Sequence, residues 1–192
     1  KQSAMALACG NTFVNLPSEH APRLSLRVAQ LYQEAGFPAG SFNVVLGNGA
    51  VIGDALTGHP LVKSVTFTGS SVVGRHIAEI CARQLKKFTL ELGGKSPLIV
   101  MDDADLAGAV RAAAMGTFFY QGQACMASSR ILVQRGIFER FSQALAGAAA
   151  GLKGGDLRDP GTTLGPIISG RQRSRVKTHI EDAAAKGWKI AE

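Results

Sequence analysis

Cysteine is scarce in this 192-residue chain, which has three, and no two of them form a CxxC pair. An odd and sparse count does not make a disulfide framework, and without an HExxH sequence a zinc site is not expected either. No apolar run reaches the roughly 18 to 20 residues that a membrane span needs, and the first residues lack the pattern of a secretory signal. We therefore predict a cytoplasmic protein that binds no metal and has no membrane partner.

Charged residues are also few, at 18%, and their balance is basic, with a net charge of +7. The densest basic run, residues 171–177, leads into a pattern in which Val176, Ile180 and Ala183 recur at helical spacing. This pattern predicts that the charges occupy the solvated face of an amphipathic helix. A binder of single-stranded nucleic acid would need aromatic residues among the charges, and this run has none. We therefore predict no nucleic-acid partner.

The order of the apolar segments predicts an α/β fold. Hydrophobic residues make up 46% of the chain, and short β-branched runs alternate with helical stretches, as in a parallel sheet covered by helices. The order of predicted strands and helices changes after Gly93 and Gly94, which indicates two domains. Cys125 would lie in the second domain, with a cleft between the two. We predict strands at 12–14, 42–46, 65–67, 88–90, 98–101 and 131–133, and helices at 22–36, 71–83, 105–119 and 137–152.

Cys125 is the candidate nucleophile because it follows the polar, glycine-containing run Gln121-Gly122-Gln123-Ala124. A cysteine attacks as the thiolate, which a turn or a helix N-terminus can favour. Gly122 would let the backbone approach closely, and neighbouring amides could stabilise an oxyanion. A structural or incidental role for Cys125 stays open. Cys9 and Cys81 are predicted to be packing residues.

Glu91 is the candidate general base. It closes a predicted strand in apolar surroundings, where partial desolvation would raise the pKa of its carboxyl group toward the useful range. An ion pair with Lys95, four residues further on, is an equal alternative from spacing alone.

A third motif, Phe67-Thr68-Gly69-Ser70-Ser71-Val72-Val73-Gly74, stands where a predicted strand ends and a helix begins. A helix start offers free amides to phosphate, and Gly69 has no side chain to block the approach. The spacing is GxxxxG without the following Lys-Ser/Thr, so the motif is neither a P-loop nor GxGxxG. An ordinary N-capped helix is the alternative.

Taken together, these segments resemble the NAD(P)-dependent aldehyde dehydrogenase superfamily, in its non-acylating, hydrolytic type. The resemblance implies the end of a Rossmann-like cofactor domain over residues 1–92, then the first part of an α/β catalytic domain over 93–192, within a longer protein. Softer matches extend it over residues 6–187: Ala8-Cys9-Gly10-Asn11-Thr12, Pro17-Ser18-Glu19, Glu34-Ala35-Gly36-Phe37-Pro38, Asp102-Asp103-Ala104-Asp105 and Leu164-Gly165-Pro166.

The resemblance also implies a reaction. Cys125 would attack a small aldehyde to form a thiohemiacetal, hydride transfer would leave a thioester, and Glu91 would activate the water that hydrolyses it to a carboxylic acid. The cofactor would be NAD or NADP, with a slight preference for NAD, and the full-length protein would form a homo-oligomer.

The cofactor-binding residues follow from the same resemblance. Gly69 and Ser70 would approach the pyrophosphate, with Gly74 in the same motif, and Val73 would pack near the adenine. The Leu92 carbonyl would lie near the nicotinamide. Glu19 would reach a ribose hydroxyl.

Two departures from the family pattern matter. Leu16 stands where a lysine usually hydrogen-bonds the adenosine ribose, which puts cofactor affinity and the choice of NAD over NADP in doubt. Family members are also more than twice as long as this chain. We therefore keep a second hypothesis, a non-catalytic relative or fragment that serves as a binding or structural module.

Three aromatic residues, Phe118, Phe119 and Tyr120, lead into the Cys125 turn. They could line an apolar channel suited to aromatic or medium-chain aldehydes. They could also form the inner face of the helix that begins near Asp105, and we favour this second interpretation.

Overall fold

The computed structural model describes residues 2–189, which form two compact units, Lys1–Leu92 and Gly93–Glu192. All strand pairs in both units are parallel among the described residues. The predicted α/β class is therefore confirmed. Within residues 2–189, no helix combines the length and the apolarity that crossing a membrane requires.

Unit 1 alternates helices and strands along the chain. Strand β1 pairs with β2, and β3 pairs with β4. Its elements are α1 (Gln2–Ala8), β1 (Phe13–Asn15), α2 (Pro22–Glu34), β2 (Phe42–Val44), α3 (Gly49–Gly58), β3 (Ser64–Gly69), α4 (Ser71–Arg83) and β4 (Lys87–Leu92).

The predicted strands and helices of unit 1 are found within a few residues of their expected bounds, but α1 and α3 were missed. Helix α3 contains three glycines, which lower helix propensity and resemble a loop in sequence. The available signal was Asn48, whose side chain accepts a hydrogen bond from the Ala50 N–H and caps the helix.

Helix α4 lies on β3 and β4 through Gly74, Ile77 and Cys81, its three buried residues. Cys81 is fully buried, which confirms its predicted packing role. Its burial raises the pKa of the thiol, and the nearby Lys86 charge partly offsets this. Cys9, in contrast, is exposed, so the prediction that it packs is wrong.

Unit 2 is built around the parallel pair of β5 and β6. Its core is a cluster of buried residues from β5, α5, α6 and the turn before α6: Val100, Val110, Ala113, Ile137 and Phe141. Its elements are β5 (Ser96–Val100), α5 (Leu106–Phe118), a 3₁₀ turn (Phe119–Gly122), β6 (Ser128–Val133), a second 3₁₀ turn (Arg135–Ile137), α6 (Phe138–Ala150) and α7 (Gly170–Ala185).

Helix α7 covers the basic run, as predicted. Its side chains include no buried residue, and even Val176 and Ile180 are exposed. The apolar side of the helix is therefore not covered by the described part of the chain.

Phe141 tests the core of unit 2. Its side chain is 1% exposed, so Phe141→Ala should lower the free energy of unfolding by about 3 to 5 kcal/mol. Phe138, on the same helix and 48% exposed, provides the matched control, and Phe138→Ala should cost less than about 1 kcal/mol. Urea unfolding followed by circular dichroism measures both. Equal losses would contradict this assignment of the core.

Candidate functional site

The parallel register of β3 and β4 brings two predicted motifs to one edge. Gly69 lies opposite Leu92, and Thr68 lies opposite Glu91. Parallel strands end at the same side of a sheet, and open α/β sheets bind ligands just outside the carboxyl ends of their strands. The candidate base Glu91 and two of the predicted cofactor residues, Gly69 and Leu92, are thus neighbours at one carboxyl edge, and the predicted cofactor residue Ser70 follows Gly69 directly.

Helix α4 begins at that edge with a defined cap. The Ser70 Oγ accepts a hydrogen bond from the Val73 N–H at 3.3 Å, so the helix is N-capped, as the alternative interpretation predicted. The amides of Ser71 and Val72 belong to the first turn, before the helical hydrogen-bond ladder begins. Val73 is exposed beside them. Capping and phosphate binding remain compatible, because they use different amides.

The two glycines of this motif lie against different side chains, and neither position has room for a Cβ atom. A Cβ on Gly69 would lie 2.4 Å from the Phe67 ring, so the ring occupies the space that we expected to be open to a ligand. A Cβ on Gly74 would lie 2.8 Å from a methyl group of Leu92. Gly74 is buried and permits close packing of α4 on β4. The place of Gly74 among the cofactor-binding residues stays a prediction.

Both predicted carboxylates of unit 1 are exposed. Glu91 is exposed, so the described part of the chain does not provide the apolar surroundings that we expected at this strand end. Glu19 follows β1 and lies 4.0 Å from the His20 ring nitrogen Nε2. Leu16, at the position of the absent lysine, is half-buried.

Cys125 is exposed in the connection between α5 and β6. Just before it, Tyr120 (φ 49°, ψ 37°) and Gln121 (φ 57°, ψ 33°) adopt left-handed conformations, followed by Gly122 at φ 72°. For each of the two non-glycine residues, this costs about 1 to 2 kcal/mol. Such strain concentrates at functional sites. Sequence patterns did not predict this strain, because only Gly122 is a residue that favours the left-handed conformation.

A hydrogen bond joins the two ends of this connection. The Thr117 Oγ1 donates a hydrogen bond to the Ser128 carbonyl at 3.0 Å, which joins the last turn of α5 to the start of β6. A Cβ on Gly122 would lie 3.3 Å from the Thr117 carbonyl oxygen, so the turn itself folds back on the helix. The residues around Cys125 therefore form a compact turn that folds back on α5 rather than an open loop.

Two of the three aromatic residues before Cys125 lie outside the helix. Helix α5 ends at Phe118, and the rings of Phe119 and Tyr120 contact each other at 4.2 Å between centroids, with 50% and 65% of each residue exposed. The favoured prediction that they form the inner face of the helix is wrong for these two residues. Met126 is also exposed, and residues 112–129 contain no Asp, Glu, Lys or Arg.

Glu91 and Cys125 belong to different units, so their meeting at one site stays a prediction. Within residues 2–189, no three His, Cys, Asp or Glu side chains are grouped so that they could hold a metal ion.

Comparison with known proteins gives one consistent result. Residues 1–192 match the aldehyde dehydrogenase family. The chain is 44% identical to the glutarate-semialdehyde dehydrogenase of Pseudomonas putida over 99% of its length and 40% of that protein. It is 43% identical to the NADP⁺ succinate-semialdehyde dehydrogenase of Escherichia coli over 99% of its length and 39% of that protein.

Solved structures agree in fold. The crystal structure of the betaine aldehyde dehydrogenase of Staphylococcus aureus in complex with NAD⁺ superimposes with a TM-score of 0.95 at 42% identity, covering 100% of this chain and 38% of that one. The chain thus spans about two fifths of the length of these curated and solved relatives.

Thiol accessibility separates the three cysteines experimentally. Iodoacetamide at about pH 8 should label Cys9 and Cys125 and spare Cys81, because burial both hides the Cys81 thiol and raises its pKa. Peptide mass spectrometry measures each site, and urea-unfolded protein, labelled at all three, is the control. Native labelling of Cys81 at the rate of Cys9, or protection of Cys125, would contradict the structure.

Proposed function

Because this chain belongs to the aldehyde dehydrogenase family, we propose that the protein oxidises an aldehyde to a carboxylic acid with NAD or NADP. Cys125 is the nucleophile and Glu91 the general base. The single observation that supports this most is the parallel register that puts Glu91 and Leu92 beside Thr68 and Gly69 at one ligand-binding edge. The exposed thiol on its strained turn supports the same proposal.

The chemistry follows from these two side chains. The Cys125 thiolate adds to the carbonyl carbon, forming a thiohemiacetal whose oxyanion nearby backbone amides can stabilise. The bound cofactor supplies a hydride acceptor, and loss of the hydride leaves a thioester on Cys125. Glu91 then takes a proton from water while the water oxygen attacks the thioester, which releases the acid and restores the thiolate.

The first unit has features that suit a dinucleotide. The start of α4 offers the amides of Ser71 and Val72 to a pyrophosphate, and the carboxyl edge of β3 and β4 lies beside them. The exposed Glu19 carboxylate would accept a hydrogen bond from a ribose hydroxyl and repel a 2′-phosphate. We therefore favour NAD, although relatives of both kinds exist.

The surroundings of Cys125 favour an uncharged aldehyde. Phe119, Tyr120 and Met126 expose apolar surface next to it, in a segment without charged residues. With the helix-face interpretation corrected, these side chains are available for an aromatic or medium-chain substrate. The names of the relatives do not decide the question, since they include both semialdehyde and betaine aldehyde dehydrogenases.

A binding or structural module remains the second candidate. The observation that favours it is Leu16, which stands where the family usually has a lysine that hydrogen-bonds the adenosine ribose. Assembly into a homo-oligomer and a cytoplasmic location stay predictions.

Replacing the two proposed catalytic residues should separate the half-reactions. Cys125→Ser should abolish NADH formation from benzaldehyde, hexanal and succinate semialdehyde. Glu91→Gln should still give one burst of NADH, equal to the enzyme concentration, before a steady rate about 10² to 10⁴ times lower, because thioester hydrolysis lacks its base. Stopped-flow absorbance at the NADH band measures both phases.

Glu79→Gln is the matched control, since Glu79 is exposed on α4, and it should leave both phases unchanged. Undiminished turnover by Cys125→Ser would refute the proposed nucleophile. No NADH from the unsubstituted protein with any of these aldehydes would favour the module.

The choice of cofactor can be tested at Glu19. Removing its charge in Glu19→Gln should raise the ratio of kcat/KM for NADP to that for NAD about fivefold, because a unit charge about 4 Å from a phosphate is worth roughly 1 kcal/mol in water. Leu16→Lys should lower the KM for both cofactors. Steady-state kinetics measure these values, with Glu139→Gln on α6 as the control. An unchanged ratio in Glu19→Gln would place the ribose elsewhere.

A further inference from the structure

We propose that Gln121 and Gln123 are positioning residues that clamp the strained Cys125 turn to the backbone of residues 165–168. The clamp itself is a property of unit 2. Only its catalytic consequence depends on the proposed function.

Gln123 joins the two segments directly. Its Nε2 donates to the Tyr120 carbonyl at 3.0 Å, and its Oε1 accepts from the Ile168 N–H at 3.2 Å. Forty-five residues separate Gln123 from Ile168 along the chain. The side chain thus spans from the left-handed residue Tyr120 to a distant backbone amide.

Gln121, two residues earlier, can make a similar link. With its amide assigned in the orientation that suits the Gly165 N–H, the Gln121 Oε1 accepts from that N–H at 3.0 Å and its Nε2 donates to the Tyr120 carbonyl at 3.1 Å. In the opposite orientation, its Oε1 accepts from the Gln123 Nε2 at 3.1 Å instead. The backbone N–H of Gln123 also donates to that carbonyl, at 3.0 Å. Two donors of Gln123, its side-chain Nε2 and its backbone N–H, therefore converge on the Tyr120 carbonyl oxygen. The left-handed conformation of Tyr120 is what turns this oxygen toward them.

The segment on the other side of the clamp is itself fixed. The N–H groups of Thr163 and Leu164 both donate to the Lys153 carbonyl at 2.9 Å, and the Lys153 N–H donates to the Thr163 Oγ1 at 2.8 Å. A Cβ on Gly165 would lie 3.0 Å from a methyl group of Leu157, so the chain is closely packed there. The amides of Gly165 and Ile168 are thus presented from a hydrogen-bonded loop that continues α6.

This arrangement explains two features that the proposed reaction leaves unused. The motif Leu164-Gly165-Pro166 carries no reactive group, yet it supplies one of the two clamped amides. The two glutamines flank Gly122 without being nucleophiles or bases. Together they stabilise an unfavourable conformation of Tyr120 and Gln121, which stand five and four residues before Cys125.

Amide hydrogen exchange on the purified protein tests the clamp without any assay of activity. Gln123→Leu removes both hydrogen bonds of that side chain at similar volume. It should speed exchange of the Ile168 amide about fivefold, the ratio expected for one hydrogen bond of average strength. Gln123→Glu keeps an oxygen for Ile168 but cannot donate to Tyr120, so Ile168 exchange should stay within about twofold. Gln121→Leu should speed exchange at Gly165 instead.

Gln143→Leu, on the exposed side of α6, is the matched control and should change none of these rates. Thermal melting identifies a variant that loses stability throughout unit 2. If Gln123→Leu is such a variant, Ile168 exchange in Gln123→Glu is compared with that in the unsubstituted protein, and that comparison decides whether the clamp exists. Unchanged Ile168 exchange in Gln123→Leu, or faster exchange in Gln123→Glu equal to that in Gln123→Leu, would overturn the clamp.

The catalytic consequence has its own readout. Misplacing a reacting group by about 1 Å can cost up to a hundredfold in rate, so Gln123→Leu should lower kcat about tenfold to a hundredfold while KM changes less than about threefold. An equal change in KM, or an unchanged kcat despite faster Ile168 exchange, would show that the clamp does not position Cys125. If the unsubstituted protein oxidises no aldehyde, the proposed function fails, and the exchange data still decide on the clamp.

Discussion

The pairing of β3 with β4 in parallel register is the constraint on which the candidate site of unit 1 depends. It alone puts Gly69 opposite Leu92 and Thr68 opposite Glu91, although more than twenty residues separate each pair along the chain. Helix α4 can only lie close enough to begin at the same edge because Gly74 has no side chain against Leu92. A single slip in register would move the Glu91 side chain to the other face of the sheet.

Unit 2 differs from unit 1, because its candidate nucleophile lies on a connection between a helix and a strand rather than at a strand end. The last turn of α5 is tied to the first residue of β6 through Thr117 and Ser128, so the residues between them must leave and return within a short distance. Left-handed backbone at Tyr120, Gln121 and Gly122 achieves that reversal. The cost of the strain is offset by hydrogen bonds to a loop that is far away in sequence, which makes the turn part of the tertiary structure.

Local patterns predicted most elements, and the failures have physical causes. Strand and helix positions followed from apolar periodicity and from end signals such as Asp105, which caps α5. Helix α3 was not predicted because its three glycines make the sequence resemble a loop. The exposure of Glu91 depends on what covers the end of a strand, and the left-handed Tyr120 on contacts with residues 165–168. Neither property is encoded in a neighbouring residue, so neither could be read from the sequence around it.

The chemical nature of the clamp is itself informative. Lysine or arginine could also have bound the Tyr120 carbonyl, and a carboxylate could have accepted from Ile168, but each would have placed a full charge within a few residues of Cys125. A positive charge there would attract a thiolate and a negative one would repel it, so the groups that hold the turn would also change the electrostatics at the nucleophile. Amides make the same hydrogen bonds without charge. The absence of charged residues over 112–129 extends this neutrality to the whole connection, so any charge that acts on the thiol comes from outside this segment.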